Sequence, residues 1–274
     1  MNRFLPNFLA LVFLFHPFFS APASAEKWIP IERGVHYREI IRDGLHAYVV
    51  RVDLERDDLR VVATPEEQKG VVVSRFAESV SAIAAVNADY FDEQMRTVGH
   101  AMSGGDAWEG RHGTRNQPVI AFGADRAEIF SVEGRDAELP EWVDEAVSGW
   151  PLLIENCTAF TAEQLPGSDF FTRAPHPRTA AGLSRDRRWL FLVVADGRRE
   201  GIPGPTLAEL GSFMRAELDV CSALNLDGGG SSAIVIEGEL MNQPSDGSER
   251  VVANHLAIVS VGDTHPKDEE PEIP

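Results

Sequence analysis

Cysteine is scarce in this chain: Cys157 and Cys221 are the only two. No Cys-x-x-Cys or His-Glu-x-x-His spacing occurs, which argues against structural zinc and zincin chemistry. Positive charge is also in short supply, with 25 Lys and Arg against 43 Asp and Glu and a net charge of −18. Such a surface repels nucleic acid and anionic lipid, so an anionic substrate must be met by local donors rather than by the overall field. Beyond the first twenty residues no apolar run approaches the ~20 residues needed to span a bilayer. The glycine-rich stretch near position 229 lacks the Gly-x4-Gly-Lys-Ser/Thr spacing of a nucleotide loop, and Ala233 breaks a Gly-x-Ser-x-Gly elbow. Nucleotide hydrolysis and serine-esterase chemistry are therefore disfavoured. There is no internal repeat and no linker-like segment, so residues 26–262 are expected to form one domain.

What is present begins with a leader-like N-terminus. Arg3 precedes an apolar run from Phe8 to Phe19 and then Ala23-Ser24-Ala25, the pattern of a secretory signal cleaved after residue 25. Pro6, His16 and Pro17 interrupt it, which disfavours a membrane anchor. The expected location is periplasmic or extracellular, with no stable membrane insertion once the signal is removed. Export makes a bridge between Cys157 and Cys221 feasible, and sequence alone leaves that pairing open. Residues 263–274 are acidic and Pro-containing and are expected to be a disordered tail.

Hairpin signals dominate the middle of the chain. "HAYVVRVDLERDDLRVVAT" reads as two β-rich runs around a charged turn, "VIAFGADRAEIFSV" turns at Gly123 to Arg126, and "TAAGLSRDRRWLFLVVADG" turns at Ser184 to Arg187. Ser74 is placed to cap a short helix, and residues 99–113 read as a long glycine-rich loop. Thr206 and Glu209 form a capping box ahead of Leu207, Leu210, Phe213, Met214 and Leu218 at helical spacing. "SALNL" is a buried strand and "AIVIEGELMN" a hairpin turning at Glu237-Gly238; "HLAIVSV" ends the domain. The expected class is α+β, a single domain with a mixed or largely antiparallel sheet and a few packed helices.

Chemistry concentrates at strand ends. The strand "SALNL" delivers Asp227, then Gly228, Gly229 and Gly230, then Ser231 and Ser232. Three glycines permit positive φ and let backbone N–H groups converge on an anion, and the hydroxyls add donors. Asn87 and Asp89 follow another apolar run, Arg178 and Thr179 open a strand, and Asp196 ends one; Glu249, Arg250 and Asn254 precede the last. Singly, each is an ordinary turn or cap residue. Together they repeat one arrangement, a buried strand with a polar group at its tip.

The ordered set "VNADYFD", "HPRTAAGL", "VVADGR", "TLAEL", "ALNLDGGGSSAIVI" and "NQPSDGSERVVANHLAI" resembles the phosphodiester glycosidase family, from about Ser74 to Val261. The resemblance implies hydrolysis of the glycosidic bond of a sugar-1-phosphodiester, with a phosphosugar or glycopolymer as substrate. It also implies a site on Asn87, Asp89, Arg178, Asp196, Asn225, Asp227, the three glycines, Ser231, Glu249, Arg250 and Asn254. Asp227 is the expected nucleophile or base, with Asp89 or Asp196 as its partner and Glu249 in reserve. No metal ligand set and no required cofactor is expected, with room left for a divalent cation such as calcium. Two rival readings remain: a metal-dependent phosphodiesterase cutting P–O through Asp89, Asp196 and Asp227, and a non-catalytic envelope module that binds phosphosugar.

Overall fold

Strand alternation sorts the apolar side chains onto two faces. Along Leu45–Asp53, Tyr48, Val50 and Val52 point one way while Ala47 and Val49 point the other; along Trp189–Ala195, Leu190, Leu192 and Val194 oppose Phe191, Val193 and Ala195. With both faces apolar, these strands belong in the middle of a sheet covered on both sides. The computed structural model describes residues 27–42, 44–109, 117–133 and 137–261. Residues 1–25, expected to be a signal, and the acidic tail lie outside the described residues, as does part of the stretch 99–113.

An eight-stranded sheet runs in the order Ile29–Glu32, Val35–Arg42, Leu45–Asp53, Trp189–Ala195, Arg178–Ser184, Val220–Asn225, Leu152–Glu155, Thr158–Ala159. One of its faces is covered by the helix Leu207–Leu218 through Leu207, Leu210, Phe213, Met214 and Leu218. The other face packs on two five-stranded sheets. One contributes Ala84, Val86, Ile234, Ile236, Leu256 and Ile258, and the other Ile120, Phe122 and Val147. The helix Val73–Ser79 closes the far side of the first small sheet, setting Val73, Phe76 and Ala77 on Ala85, Val235 and Ala257. Every strand pairing among the described residues is antiparallel, in keeping with an α+β class. No helix among the described residues is long and apolar enough to cross a membrane.

The capping box at Thr206 and Glu209 forms with both reciprocal bonds, and the hairpins at Gly123–Arg126, Ser184–Arg187 and Glu237-Gly238 form as read. Cys157 and Cys221 are bridged. Three expectations are corrected. Leu45–Asp53 and Leu59–Ala63 are not a hairpin: the first lies between Val35–Arg42 and Trp189–Ala195, and the second pairs with His255–Ser260 in another sheet. A strand apolar on both faces needs neighbours on both edges, and here one is the adjacent strand Val35–Arg42 and the other the distant Trp189–Ala195. Ser74 does not cap its helix; its amide instead donates to the Glu249 carboxylate at 2.9 Å. The described part of 99–113 is not all loop, since Met102–Ser103 and Asp106–Ala107 pair around Gly104 and Gly105.

Candidate active site

Register fixes which side chains meet. Antiparallel pairing sets Arg178 opposite Ala195 and Ala180 opposite Asn225, while His255 stands opposite Asn87. The ends bearing Asn87, Arg178, Asp196, Asn225 and Asn254 therefore lie at one end of the packed sheets. Asn87, fully buried, ties them together: its Nδ2 donates to the Asp227 carbonyl at 2.7 Å, and its Oδ1 accepts from Thr179 Oγ1 at 2.8 Å and from the Ala233 amide at 3.2 Å. One side-chain amide thus fixes where Asp227 leaves the large sheet.

Asp227 and Asp89 form the carboxyl pair of the site. The Asp227 amide donates to the Ala88 carbonyl at 2.8 Å, which locks the two segments side by side. Asp89 is buried, with Oδ1 accepting from the Ser148 amide at 2.9 Å and from the Ser148 hydroxyl, and Oδ2 accepting from Asn254 Nδ2 at 2.6 Å. Asn254 Oδ1 returns the contact by accepting from the Asp89 amide at 2.9 Å. Burial pushes the Asp89 carboxyl up to about 7 against these donors, and the nearby Asp227 charge adds to the rise. Asp227 is partly exposed, and its carboxyl is pushed up to about 6 by desolvation, opposed by the Ser231 hydroxyl, the Gly228 amide and Arg250. Of the two, Asp227 is the one solvent and substrate can reach.

The glycine loop is used differently from the expected cradle of several free amides. The Gly228 amide bonds the Asp227 carboxylate at 2.9 Å, the Gly229 amide bonds the Pro177 carbonyl at 2.9 Å, and the amides of Ser231 and Ser232 close a short 3-10 turn. Only the Gly230 amide keeps no partner within the described protein. The glycines serve close approach instead. Gly229 sits at φ +64°, and a Cβ on Gly230 would stand 2.1 Å from Asp246 Oδ2 and 2.2 Å from Arg250 Nη2. Arg250 accordingly lies on the loop, paired with Asp246 and donating to Ser231 Oγ at 3.3 Å.

Arg178 is 3% exposed and has no carboxylate partner among the described residues. Its guanidinium donates to the carbonyls of Phe171 at 2.8 Å, Ala174 at 3.0 Å and Pro205 at 3.3 Å, and burial lowers its pKa to about 10. A cation so desolvated favours an incoming anion. Asn225 Nδ2 donates to Tyr90 Oη and to the Trp150 carbonyl, leaving its Oδ1 buried without a partner, as is Ser232 Oγ. Beside these groups the rings of Trp150 and Phe171 meet at 5.2 Å, tilted by 33°, and Tyr90 lies 6.1 Å from Phe171. Trp150 and Phe171 also line a cavity of about 700 Å³ with Pro166, Gly167 and Ser168. Aromatic faces next to hydrogen-bonding groups suit the apolar face of a sugar ring.

Two expected carboxylates are engaged by other groups. Asp196 is enclosed by Arg199 at 2.5 Å, Tyr48 Oη at 3.2 Å and the Gln243 amide at 3.2 Å. Glu249 is held at the start of the Val73–Ser79 helix by the Ser74 amide. Among the described residues no three His, Cys, Asp or Glu side chains group as a metal site. Sequence reasoning missed Tyr90, Ser148, Trp150 and Phe171; Tyr90 stood inside the "VNADYFD" segment, while the other three carry no local signal.

A family model described as phosphodiester glycosidase matches residues 81–259. The human N-acetylglucosamine-1-phosphodiester alpha-N-acetylglucosaminidase is 26% identical over 188 residues, covering 67% of this chain and 36% of the human protein. The mouse protein of the same name is 43% identical over 76 residues, 28% of this chain and 14% of its own length. The match thus spans little more than a third of the human relative and about a seventh of the mouse one. Among solved structures, the catalytic domain of the zebrafish enzyme superposes with a TM-score of 0.66 at 19% identity, covering 88% of this chain and 85% of that one. A Synechocystis protein superposes at 0.64 with 16% identity, over 88% and 64%. Those two likenesses establish the fold, and the family match over 81–259 establishes the lineage: this chain belongs to the phosphodiester glycosidase family.

Proposed function

We propose that the protein is an exported hydrolase that cleaves the glycosidic bond of sugar-1-phosphodiesters and releases free sugar. The observation that carries this reading is a reachable carboxyl, Asp227, followed by Gly228, whose Cβ position lies 3.9 Å from the side chain of Arg178, a buried guanidinium with no carboxylate partner among the described residues. The relatives named for action on an N-acetylglucosamine-1-phosphodiester supply the substrate class. The N-terminal signal pattern supports a periplasmic or extracellular location.

The chemistry asks little of a general acid. A phosphate monoester has its second pKa near 6 and departs as a stable anion. In the proposed reaction the C1–O bond breaks, its electron pair stays on the phosphate oxygen, and the oxygen of water becomes the new hydroxyl on C1. Asp227, ionised, either takes the proton of the attacking water or attacks C1 itself before water releases the sugar; the configuration of the released sugar separates these routes. Arg178 balances charge on the departing phosphoryl group. Asp89, enclosed by Ser148 and Asn254, acts as a positioning group by fixing the Ala88–Asp89 segment on which Asp227 rests. Trp150 and Phe171 offer the sugar its apolar wall.

The test is product analysis on a panel of α- and β-linked sugar-1-phosphodiesters, N-acetylglucosamine included, with Asp227→Asn as control. Free sugar from at least one substrate, lost in the variant, supports the reading. Failure on the whole panel, or an Asp227→Asn variant as fast as wild type, sinks it.

A further inference from the structure

Arg198 lies at the glycine loop with no group of opposite charge among the described residues to hold it. Its neighbours are engaged: Arg199 pairs with Asp196, Arg250 pairs with Asp246, and Arg178 binds carbonyls. Arg198 has no carboxylate partner among the described residues, yet its guanidinium lies flat against the loop. A Cβ on Gly229 would stand 3.1 Å from both its Nη1 and its Nη2. The backbone is arranged for this placement. Arg198 sits at φ +57°, a left-handed conformation that costs a non-glycine residue roughly 1 kcal/mol, and its amide bonds the Pro203 carbonyl at 3.0 Å.

One side chain does hold the guanidinium. Arg198 Nε donates to His176 Nδ1 at 3.3 Å. A guanidinium keeps its protons near neutral pH, so Nδ1 must accept, and the imidazole proton must lie on Nε2, where it donates to the Phe170 carbonyl at 2.8 Å. The ring is therefore neutral and in one tautomer. Protonation would set N–H against N–H in the presence of the two cations that act on this ring, Arg198 and Arg178. Burial first, and then those two arginines, hold its pKa below the ordinary value against the raising effect of the Phe170 bond. Phe170, 72% exposed, packs its ring edge-on against His176 at 4.8 Å.

We propose that Arg198 binds the phosphoryl group of the substrate across the Gly229-Gly230 turn, and that neutral His176 is the positioning residue that aims it. The planar fork offers Nη1 and Nη2 at Gly229, one residue before the Gly230 amide, which has no partner among the described residues; such donors suit a tetrahedral oxyanion. The inference rests on the glycosidase reading for the identity of its ligand, while the anion site itself is testable without turnover.

The probe is inorganic sulfate, whose charge does not change near neutral pH, titrated calorimetrically into the full-length protein. Arg198→Ala should weaken sulfate by ~10-fold or more, with Arg198→Lys intermediate because a point charge lacks the fork. His176→Ala should weaken it as well, and His176→Asn, which keeps an acceptor near the Nδ1 position, should restore it. Unchanged melting temperatures show that the variants fold. On a cleaved phosphodiester, Arg198→Ala should raise KM more than it lowers kcat. Sulfate affinity in Arg198→Ala within twofold of wild type, or no sulfate binding by wild type, overturns the inference while leaving the hydrolase reading intact. Sulfate binding that follows these variants in a protein that cleaves no phosphodiester retains the anion site and overturns only the hydrolase reading.

Discussion

At one end of the packed sheets Arg188 pairs with Asp53 and Glu55, Arg56 pairs with Asp58, and Arg126 and Arg187 share Glu128 around a cavity of about 910 Å³. At the other end lie Asp89, Asp227 and Arg178, beside a cavity of about 700 Å³. Both ends are charged and both are concave. In the first, partly exposed ions meet their opposites, and pairs of that kind stabilise a fold by ~0–1 kcal/mol. Pairing with Arg56 holds Asp58 below the ordinary carboxyl range. In the second, burial drives Asp227 and Asp89 up to about 6 and about 7. Glu145, which lines the larger cavity, is also raised by burial, but the amides of Ala63 and Gly104 satisfy it. On the proposed reading the chemistry therefore lies not at the larger cavity and the denser set of ion pairs but at desolvated charge without a counter-ion, because there an incoming charged group gains more from the protein than it loses from water.

The sharpest way to break this contrast is to neutralise one carboxyl at each end. Asp227→Asn should lower kcat/KM by ~10³-fold or more, since it removes the carboxylate proposed to react. Its raised pKa means that the fold disfavours the charged form, so the stability penalty from Asp227 grows as pH rises from about 4 to about 6. The melting temperature of the variant relative to wild type should therefore climb over that window. Trp150→Ala comes next: loss of an aromatic wall worth ~1.5 kcal/mol should raise KM by ~10-fold with kcat less affected. Third, kcat/KM should rise with pH through an apparent pKa near 6 as Asp227 ionises. That value belongs to the coupled pair with Asp89. Ser148→Ala removes a hydroxyl donor from Asp89 and should shift the pair's titration upward. Smallest of all, Glu128→Gln at the paired end should cost less than ~1 kcal/mol in denaturant unfolding and leave turnover unchanged. If Glu128→Gln impaired activity as Asp227→Asn does, the contrast between the ends would fail.

Elements whose cause is local were legible from the sequence. The capping box at Thr206 and Glu209 and the turns at Gly123–Arg126 and Ser184–Arg187 involve neighbours a few residues apart, and they form as read. Leu45–Asp53 departs from the expected hairpin because the β-rich run that follows it, Leu59–Ala63, is not its partner; one edge is taken by the preceding Val35–Arg42 and the other by Trp189–Ala195, over a hundred residues away. The strand tips also carried a signal, since a polar residue after a buried strand must be satisfied somewhere, and Asn87, Thr179, Asn225 and Asn254 satisfy one another's segments. What sequence could not supply was the second partner. Ser148 lies 59 residues from Asp89, and Tyr90 lies 135 residues from Asn225. Nothing in the local spelling distinguishes Glu249, which caps a helix, from Asp227 at the site mouth. Nor does "DGGGSS" reveal that most of its amides are spoken for inside the protein.

The most direct test of the central claim is to let the enzyme turn over a cleavable sugar-1-phosphodiester in ¹⁸O-enriched water and weigh both products. Attack at the sugar carbon, as proposed for Asp227, places the label on the released sugar and leaves the phosphate monoester unlabelled. Label in the phosphate would mean that the P–O bond is the one cut, and would contradict the account.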